Sequence, residues 1–468
     1  MKKGRKIIFS FLAALLALAL VSLAALPAGA AFNSLLEEIP GLTGVSEILL
    51  LQSLDDGSTL FSKNETKRVA PASLTKLTVA ILVMENCADV NVPVTAKAES
   101  IRMFDGTNSS NAGIKPGEIL TVEQLLYCLL LPSANEAAAI LADFIAGDVP
   151  SFVSMMNAFV KKLGCKDTQF MNPHGLDQEG HYTTAADVAL VLRYALSRDF
   201  KGNTLFEKIV ASRTFEIQQT NKSQKRTLFN TNKMLNPGIP DYYSKDVTGI
   251  KTGTTDHAGD CIAAKASRNG YNYLCIVMRG QKVNVDGDAA MENTAFVDCK
   301  ALLDWTFDHI RLRQVTTPEK VVGEVPVALA RSTDHVQIVP KETLSALVPE
   351  EISSGSFLVE PIPGTVPEGL EATVKKGEVI CKGQVKYAGE VFATVDLVAA
   401  ETVNRSASMY LISLAQQAVK HPIAKLLLIA VLLVAGIYLT VLWLQARKKR
   451  QQKQMRVLPD ISVKSKKK

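Results

Sequence analysis

A stretch of 19 uncharged residues, 426–444, constrains this chain more than any other feature of its sequence. As an α-helix it would span about 29 Å, which matches the hydrocarbon thickness of a bilayer. Four basic residues, 447–450, follow it after only two intervening residues. Because cationic flanks stay on the cytoplasmic side of a membrane, we predict a transmembrane helix at 426–444 and a basic cytoplasmic tail at 445–468.

The N-terminus predicts export. Four basic residues lie among the first six, an apolar run covers residues 7–26, and Ala28 and Ala30 are the small residues that a signal peptidase requires before its cut. We therefore predict a signal peptide at residues 1–30, with an uncleaved anchor as the alternative. Removing these four charges and the net +9 of residues 447–468 from the formal net charge of +6 leaves about −7. Such an acidic body argues against nucleic-acid binding.

The longer part of the exported body, residues 31–312, has the pattern of an α/β domain. An Asp-Gly at 56–57 and an Asn-Gly at 269–270 each separate two β-type runs, which predicts two hairpins. The segments between these hairpins repeat apolar residues with helical spacing, and Thr121 with Gln124 three residues later predicts a capping box at the start of one helix. We therefore predict an antiparallel sheet flanked by helices.

The texture changes after this domain. Residues 316–403 consist of short β-type runs separated by Pro and Gly, with one helix predicted over 341–348. This pattern predicts a small β-rich domain. Residues 404–425 are predicted to form a helical stalk that leads to the membrane.

Ser73 and Lys76 form the first pair of residues with catalytic potential. They are three positions apart in a predicted helix, 72–85, and so share one of its faces. Ser73 falls in the first turn, where free N–H groups favour developing negative charge. A lysine removes a proton from serine only if burial or a second cation lowers its pKa. Taken alone, the pair is better explained by a helix-initiating serine and a surface lysine.

Two further short motifs follow. The Ser-Ala-Asn at 133–135 lies in a link between two apolar helices, where buried polar side chains need partners. The Lys-Thr-Gly at 251–253 lies on a predicted strand, and its glycine would let another backbone or a ligand approach closely. A lysine at position 251 would also lower the pKa of Lys76. Alone, the Ser-Ala-Asn fits a helix-capping turn as well as a catalytic role, and the Lys-Thr-Gly is better explained by a solvated edge strand.

The ordered set of motifs is far more specific than its parts. S-x-x-K, S-x-N 60 residues later and K-T-G 116 residues beyond Asn135 form the signature of class A β-lactamases and penicillin-binding proteins. Over residues 40–310 the chain closely resembles the serine-type D-alanyl-D-alanine carboxypeptidases, the low-molecular-weight penicillin-binding proteins of peptidase family S11. The similarity also rests on V-A-P-A-S-L-T-K at 69–76, K-P-G-E at 115–118, N-P-H-G-L at 172–176 and H-Y-T-T-A at 181–185. It extends less sharply into the β-rich domain, where A-T-V-K-K-G at 372–377 resembles the C-terminal domain of that family.

The resemblance implies a β-lactamase/transpeptidase-like fold and a set of catalytic roles. Ser73 attacks the carbonyl between the two terminal D-alanines of a peptidoglycan stem peptide, and Lys76 takes its proton. An acyl-enzyme forms, D-alanine leaves, and water completes the hydrolysis. Ser133 and Asn135 relay protons and hold the substrate amide, and Lys251 faces the substrate carboxylate.

The resemblance also implies the binding site and its ligands. Thr252 joins Lys251 at the carboxylate, Gly253 lets the strand approach, and the oxyanion lies between the N–H groups of Ser73 and Thr254. Penicillins acylate Ser73 because the β-lactam mimics the scissile bond. No metal or organic cofactor is required, and the seven cysteines lack zinc-ligand spacing.

One departure concerns the substrate carboxylate. Many family members carry an arginine after the last strand of the sheet, but residues 281–303 contain no arginine. Either Arg279, Lys282 or Lys300 replaces it, or Thr252 with Lys251 suffices.

Two alternatives stay open. A class A-like β-lactamase would need a Glu-x-x-Leu-Asn sequence between the second and third motifs, which Glu179, Glu207 and Glu216 do not provide. A catalytically silent wall protein of the same fold would be expected to lack at least one catalytic side chain, and all of them are present.

Overall fold

The computed structural model describes residues 32–284 and 291–455. The predicted signal peptide, 1–30, and residues 456–468 of the predicted tail lie outside this described part. The chain forms two compact units. The first comprises the chain up to Thr316 together with Thr343–Val359 and Gln384–Thr394, and the second comprises Thr317–Glu342, Glu360–Gly383 and Val395–Lys468.

The described residues form ten α-helices: α1 Thr75–Asn86, α2 Ala98–Arg102, α3 Val122–Leu130, α4 Asn135–Ala146, α5 Val149–Lys162, α6 Ala185–Ala195, α7 Asn203–Ala211, α8 Thr294–His309, α9 Ala407–Lys420 and α10 Pro422–Met455. They also form nineteen strands: β1 Ile48–Ser53, β2 Thr59–Lys63, β3 Pro93–Thr95, β4 Ile119–Thr121, β5 Thr214–Ile217, β6 Arg226–Phe229, β7 Val247–Thr255, β8 Gly259–Arg268, β9 Tyr271–Gly280, β10 Lys282–Val283, β11 Glu292–Asn293, β12 Ile310–Thr316, β13 Gly323–Ala328, β14 His335–Pro340, β15 Leu344–Pro349, β16 Leu358–Pro361, β17 Leu370–Glu371, β18 Val379–Tyr387 and β19 Glu390–Ala399.

The first unit is organised around a five-stranded sheet of order β2-β1-β9-β8-β7, with every neighbouring pair antiparallel. The hairpins β1–β2 and β8–β9 contain the Asp-Gly and Asn-Gly sequences that predicted them. Pairing of β1 with β9 joins strands from the two ends of the unit. The predicted antiparallel sheet with flanking helices is therefore confirmed, and β7 lies at its edge.

Helix α1 is the centre of the core. Every residue from Thr75 to Met84 is buried, and the helix packs against α3, α4 and α6. Helix α3 begins with the capping box that its sequence indicated: the Thr121 hydroxyl accepts from the Gln124 N–H, and the Gln124 side chain accepts from the Thr121 N–H. The packing therefore places the start of α1, which carries Lys76, inside the protein.

The helix predicted over 341–348 is wrong. These residues include β15, which pairs antiparallel with β12 from Ile310↔Pro349 to Thr316↔Leu344. The spacing of Leu344, Leu347 and Val348 imitates one turn of a helix. Ladder hydrogen bonds and burial of both strand faces override that local preference.

The second unit combines a small sheet with two helices. In it β14 pairs antiparallel with β13 and with the last residues of β19, and β17 runs parallel to β13. Helix α10 contains a segment, Lys425–Gln451, that is long and apolar enough to cross a membrane.

Candidate active site

Ser73 lies in a single 3-10 turn, Ala72–Leu74, which leads directly into α1. Its side chain is half-buried, whereas Lys76, one turn further on, is completely buried. The helical spacing brings Lys76 Nζ to 2.9 Å from Ser73 Oγ. The hydroxyl therefore lies within hydrogen-bonding distance of an amine from its own helix.

Two other segments complete the surroundings of this amine. Lys76 Nζ donates to Asn135 Oδ1 over 2.7 Å and to the His174 carbonyl over 2.5 Å. Asn135 is the first residue of α4, and His174 belongs to the loop that precedes α6. The amine is thus held by three oxygen atoms from three separate parts of the chain.

Burial and a second cation control the charge of Lys76. Burial is the main cause that holds the pKa of Lys76 well below its usual range, and the charge of Lys251 lowers that pKa further. The carboxyl of Glu136 opposes both effects. Burial also lowers the pKa of Lys251 to about 7. The site therefore favours a neutral amine beside Ser73.

Ser133 lies in the link between α3 and α4. It adopts a left-handed backbone with φ of 63°, and its side chain is buried. Within the described part of the chain, Ser133 Oγ has no hydrogen-bond partner. A buried hydroxyl is rarely left unsatisfied, so this geometry is typical of a group whose partner is a substrate or a solvent molecule.

The edge strand β7 forms the opposite wall. Lys251 is buried, and its Nζ donates to the Thr252 carbonyl over 2.9 Å. A Cβ on Gly253 would lie 3.0 Å from the backbone nitrogen of Ser73, so the glycine permits the close approach of strand and nucleophile turn. The hydroxyl of Thr254 donates its proton to Asp260 of β8. Because this side chain is engaged, the backbone N–H of Thr254 is the group that matters for the site.

Comparison with known proteins assigns this arrangement to a family. A family model described as D-alanyl-D-alanine carboxypeptidase matches residues 43–282, and one described as the C-terminal domain of penicillin-binding protein 5 matches residues 312–405. The chain belongs to the D-alanyl-D-alanine carboxypeptidase family. It is therefore a hydrolase of the D-Ala-D-Ala carboxypeptidase class.

Individual relatives agree with this assignment. D-alanyl-D-alanine carboxypeptidase DacF of Bacillus subtilis is 27% identical over 353 residues, which cover 75% of this chain and 84% of the relative. DacA of Escherichia coli K12 is 32% identical over 296 residues, or 61% of this chain and 66% of the relative. The solved structure of penicillin-binding protein 5 from Haemophilus influenzae is 25% identical with a TM-score of 0.54, covering 77% of this chain and 98% of that one.

The cations suggested as replacements for the arginine have other partners or positions in this carboxypeptidase. Arg279 donates to Glu47 over 3.0 Å and to the His257 carbonyl over 2.6 Å. Lys300 forms an ion pair with Asp304 one turn along α8, and Lys282 is exposed on β10.

Within residues 32–284 and 291–455, no three His, Cys, Asp or Glu side chains gather as a metal would require.

The loop before α6 supplies contacts that the sequence did not assign. Gly175, with φ of 86°, lies so close to the nucleophile turn that a Cβ would be 2.0 Å from the Ala72 carbonyl oxygen. Asp177 accepts from the Thr255 hydroxyl and from the His257 N–H, which ties the loop to the end of β7. The N-P-H-G-L sequence at 172–176 marked this loop without indicating which atoms reach the site.

A hydroxyl from the loop after β6 was also missed. Thr252 donates its hydroxyl proton to Thr231 Oγ1 over 2.7 Å, and the Thr231 N–H donates to the Leu131 carbonyl just before the Ser133 link. Thr231 therefore links strand β7 to the segment that precedes Ser133. No local pattern around Thr231 could have indicated this contact.

Proposed function

We propose that this carboxypeptidase hydrolyses the terminal D-Ala-D-Ala bond of peptidoglycan stem pentapeptides through an acyl-enzyme on Ser73, with Lys76 as the base. One observation carries the proposal. Of the three oxygens around Lys76 Nζ, those of Asn135 and His174 only accept hydrogen bonds. In a neutral amine these two acceptors would take both hydrogens, and the lone pair would then be directed to the Ser73 hydroxyl, whose oxygen lies 2.9 Å from Lys76 Nζ. This is the geometry that general-base catalysis needs.

Acylation then involves two proton transfers, one from Ser73 to Lys76 and one to the departing D-alanine. The Ser73 proton moves to Lys76 Nζ while Oγ bonds to the scissile carbonyl carbon. The C–N bond breaks, and the proton passes to the amine of the departing D-alanine. Among the residues that the structure describes, Ser133 Oγ has no hydrogen-bond partner, which supports a role in this relay between the lysine and the leaving group. Water then hydrolyses the ester and regenerates Ser73.

Two groups of donors position the substrate in this proposal. The N–H groups of Ser73 and Thr254 bind the oxyanion, and Gly253 allows the strand that carries Thr254 to approach the nucleophile turn closely. Lys251 and Thr252 bind the terminal carboxylate, for which the Thr252 hydroxyl turns its one proton from Thr231 Oγ1 to the substrate. Lys251 has further donor capacity for an anion, since the one acceptor recorded for it in the described residues is the Thr252 carbonyl.

Mass spectrometry of the intact protein after exposure to penicillin tests the proposal. We expect one adduct, mapped by peptide to Ser73, and release of D-alanine from a pentapeptide analogue. S73A should lose both. An adduct on another residue, or D-alanine release by S73A, would contradict the assignment. Rapid turnover of a fluorescent penicillin without a stable adduct would instead favour the β-lactamase.

We also propose how the chain is arranged at the membrane. After cleavage of the signal peptide, 1–30, the catalytic domain 31–312 and the β-rich domain 316–403 lie outside the cytoplasm. The stalk 404–425 leads to the transmembrane helix 426–444, and the tail 445–468 is cytoplasmic. The apolar segment of α10 supports this arrangement. Protease added to intact cells should digest the body and spare an epitope placed after Lys468; loss of that epitope would contradict it.

A further inference from the structure

We infer that His181 is a positioning residue for the nucleophile: acting through Thr75, it fixes the peptide plane that joins Ala72 to Ser73. The inference rests on the proposed role of Ser73 and adds the group that orients the Ser73 N–H.

The hydrogen bonds around His181 have a defined direction. The ring is buried, and its Nδ1 accepts from the Met171 N–H over 2.9 Å. In the neutral ring the proton is therefore on Nε2, which lies 3.0 Å from Thr75 Oγ1 and donates to it. The Thr75 hydroxyl then donates to the Ala72 carbonyl over 2.8 Å. His181 and Thr75 each use one donor and one acceptor in this chain, so neither side chain is free to rotate.

The end of this chain is the part of the backbone that the reaction uses. The carbonyl of Ala72 and the N–H of Ser73 belong to one rigid, planar peptide unit and point in opposite directions. Fixing the carbonyl therefore fixes the N–H that would bind the oxyanion. Ala72 has φ of 47°, a left-handed conformation that alanine rarely adopts and that the surroundings must hold.

Close contacts leave this peptide plane little room to move. Gly175 lies against the Ala72 carbonyl oxygen, and Gly253 lies against the Ser73 nitrogen. Contacts of this kind exclude bulky groups but do not choose the direction of a carbonyl. The directed hydrogen bond from Thr75 makes that choice, and His181 determines the direction in which Thr75 donates.

The charge state of His181 agrees with this role. Burial lowers the pKa of His181 to about 4; the carboxylate of Asp177 opposes this effect and the charge of Lys76 adds to it. His174, the other nearby imidazole, has its pKa lowered to about 3, mainly by burial. At neutral pH the ring therefore keeps a bare Nδ1 for the Met171 N–H. A second proton on the ring would oppose that N–H and break the chain at its start.

A pair of substitutions at position 181 tests the inference. In H181Q an amide oxygen and an amide nitrogen can replace the two ring nitrogens, whereas H181F keeps the ring shape without either hydrogen bond. We expect H181F to lower the rate of penicillin acylation by about 10- to 100-fold, the range for a misplaced reacting group. H181Q should restore the rate to within about 3-fold of the wild type, and the non-covalent affinity for penicillin should change little in either variant.

Thr75 provides an independent test, which also serves if H181F does not fold. T75V removes the hydroxyl at nearly constant shape and should slow acylation as much as H181F. Because both residues act through one hydrogen-bond chain, the double variant should be no slower than the slower single variant. The matched control is T168V: the Thr168 hydroxyl contacts Thr183 and Asp187 instead of the nucleophile turn. It should lower the melting temperature without slowing acylation.

The outcomes separate this inference from the proposed function. An adduct on Ser73 that forms slowly in H181F and T75V and quickly in H181Q supports both. Wild-type rates in T75V, an H181Q as slow as H181F, or additive effects in the double variant would overturn the positioning role while leaving Ser73 as the nucleophile. Absence of the Ser73 adduct in the wild type would overturn the proposed function itself.

Discussion

The site has two sides, a helix wall formed by the start of α1 and a strand wall formed by β7. Each wall buries a lysine, and the surroundings of the two amines differ. On the helix wall, Lys76 Nζ has three oxygen neighbours, from Ser73, Asn135 and His174. On the strand wall, the one acceptor recorded for Lys251 among the described residues is the Thr252 carbonyl. The surroundings of Lys76 suit an amine that exchanges a proton with a neighbouring oxygen. The surroundings of Lys251 suit an amine that binds an anion, because its remaining N–H donors gain hydrogen bonds when a ligand arrives.

The largest expected effect separates the two lysines by activity. K76M removes the base, so we expect the acylation rate to fall by about 10³- to 10⁴-fold. K251M removes one electrostatic contact, so kcat/KM should fall by about 10²-fold, largely through KM. D-alanine release at varied pentapeptide concentration, together with penicillin acylation rates, measures both. A larger kcat loss in K251M than in K76M would reverse the two roles.

The next effect concerns the contact of the loop with the helix wall. G175A places a methyl group 2.0 Å from the Ala72 carbonyl oxygen, so the nucleophile turn must shift and the acylation rate should fall by about 10²-fold. G180A is the matched control. Gly180 also has a positive φ, 81°, but a Cβ there meets its nearest atom, Met171 Sδ, at 3.5 Å. Equal rates in G175A and G180A would show that the turn tolerates displacement.

The two lysine substitutions should rank in the opposite order for stability, where K251M should have the larger effect. K251M replaces a poorly paired buried amine with a methionine of similar length, so we expect about 1–3 kcal/mol of added unfolding free energy. K76M leaves the oxygens of Asn135 and His174 without a donor, which offsets the gain. Thermal unfolding of the full chain in detergent measures the difference, and equal melting temperatures for the two variants would contradict it.

The same difference predicts a pH dependence. The native pKa of Lys251, about 7, is below its ordinary value of 10.5, so between these values the unfolded chain binds more protons than the native one. The wild type should therefore gain stability as pH rises from about 7 to about 10, and the advantage of K251M should shrink over that range. An advantage that is constant with pH would exclude titration of Lys251 as its cause.

The smallest expected effect is a change in the pH at which Lys76 takes up a proton. Acylation should fall on the acid side as Lys76 takes up a proton, and Glu136 raises the pKa that sets this limb. E136Q keeps an acceptor for the Ala112 N–H and removes the charge, so the acid side of the acylation pH profile should move to lower pH. E123Q, which removes a surface ion pair with Lys208, should leave the limb in place. A limb that does not move in E136Q would mean that Glu136 is already uncharged there.

Local signals predicted much of the fold. The two hairpins followed from dipeptides that favour tight turns, and the start of α3 followed from its capping box, because these features depend on neighbouring residues only. The helix predicted over 341–348 was wrong since its spacing fitted a helical turn while its burial depended on β12. The hairpin β5–β6 carried no turn signal of comparable strength and was not predicted.

The sequence by itself determined which chemical groups are available and that Ser73 and Lys76 share a helix face, because helical geometry fixes neighbours three residues apart. Only the tertiary structure brought to Lys76 the oxygens of Asn135 and His174, which are 59 and 98 residues away along the chain. The physical reason is that the proton affinity of an amine depends on the water it has lost and on the charges around it. Packing of distant segments sets both quantities, and no local pattern in the chain encodes them.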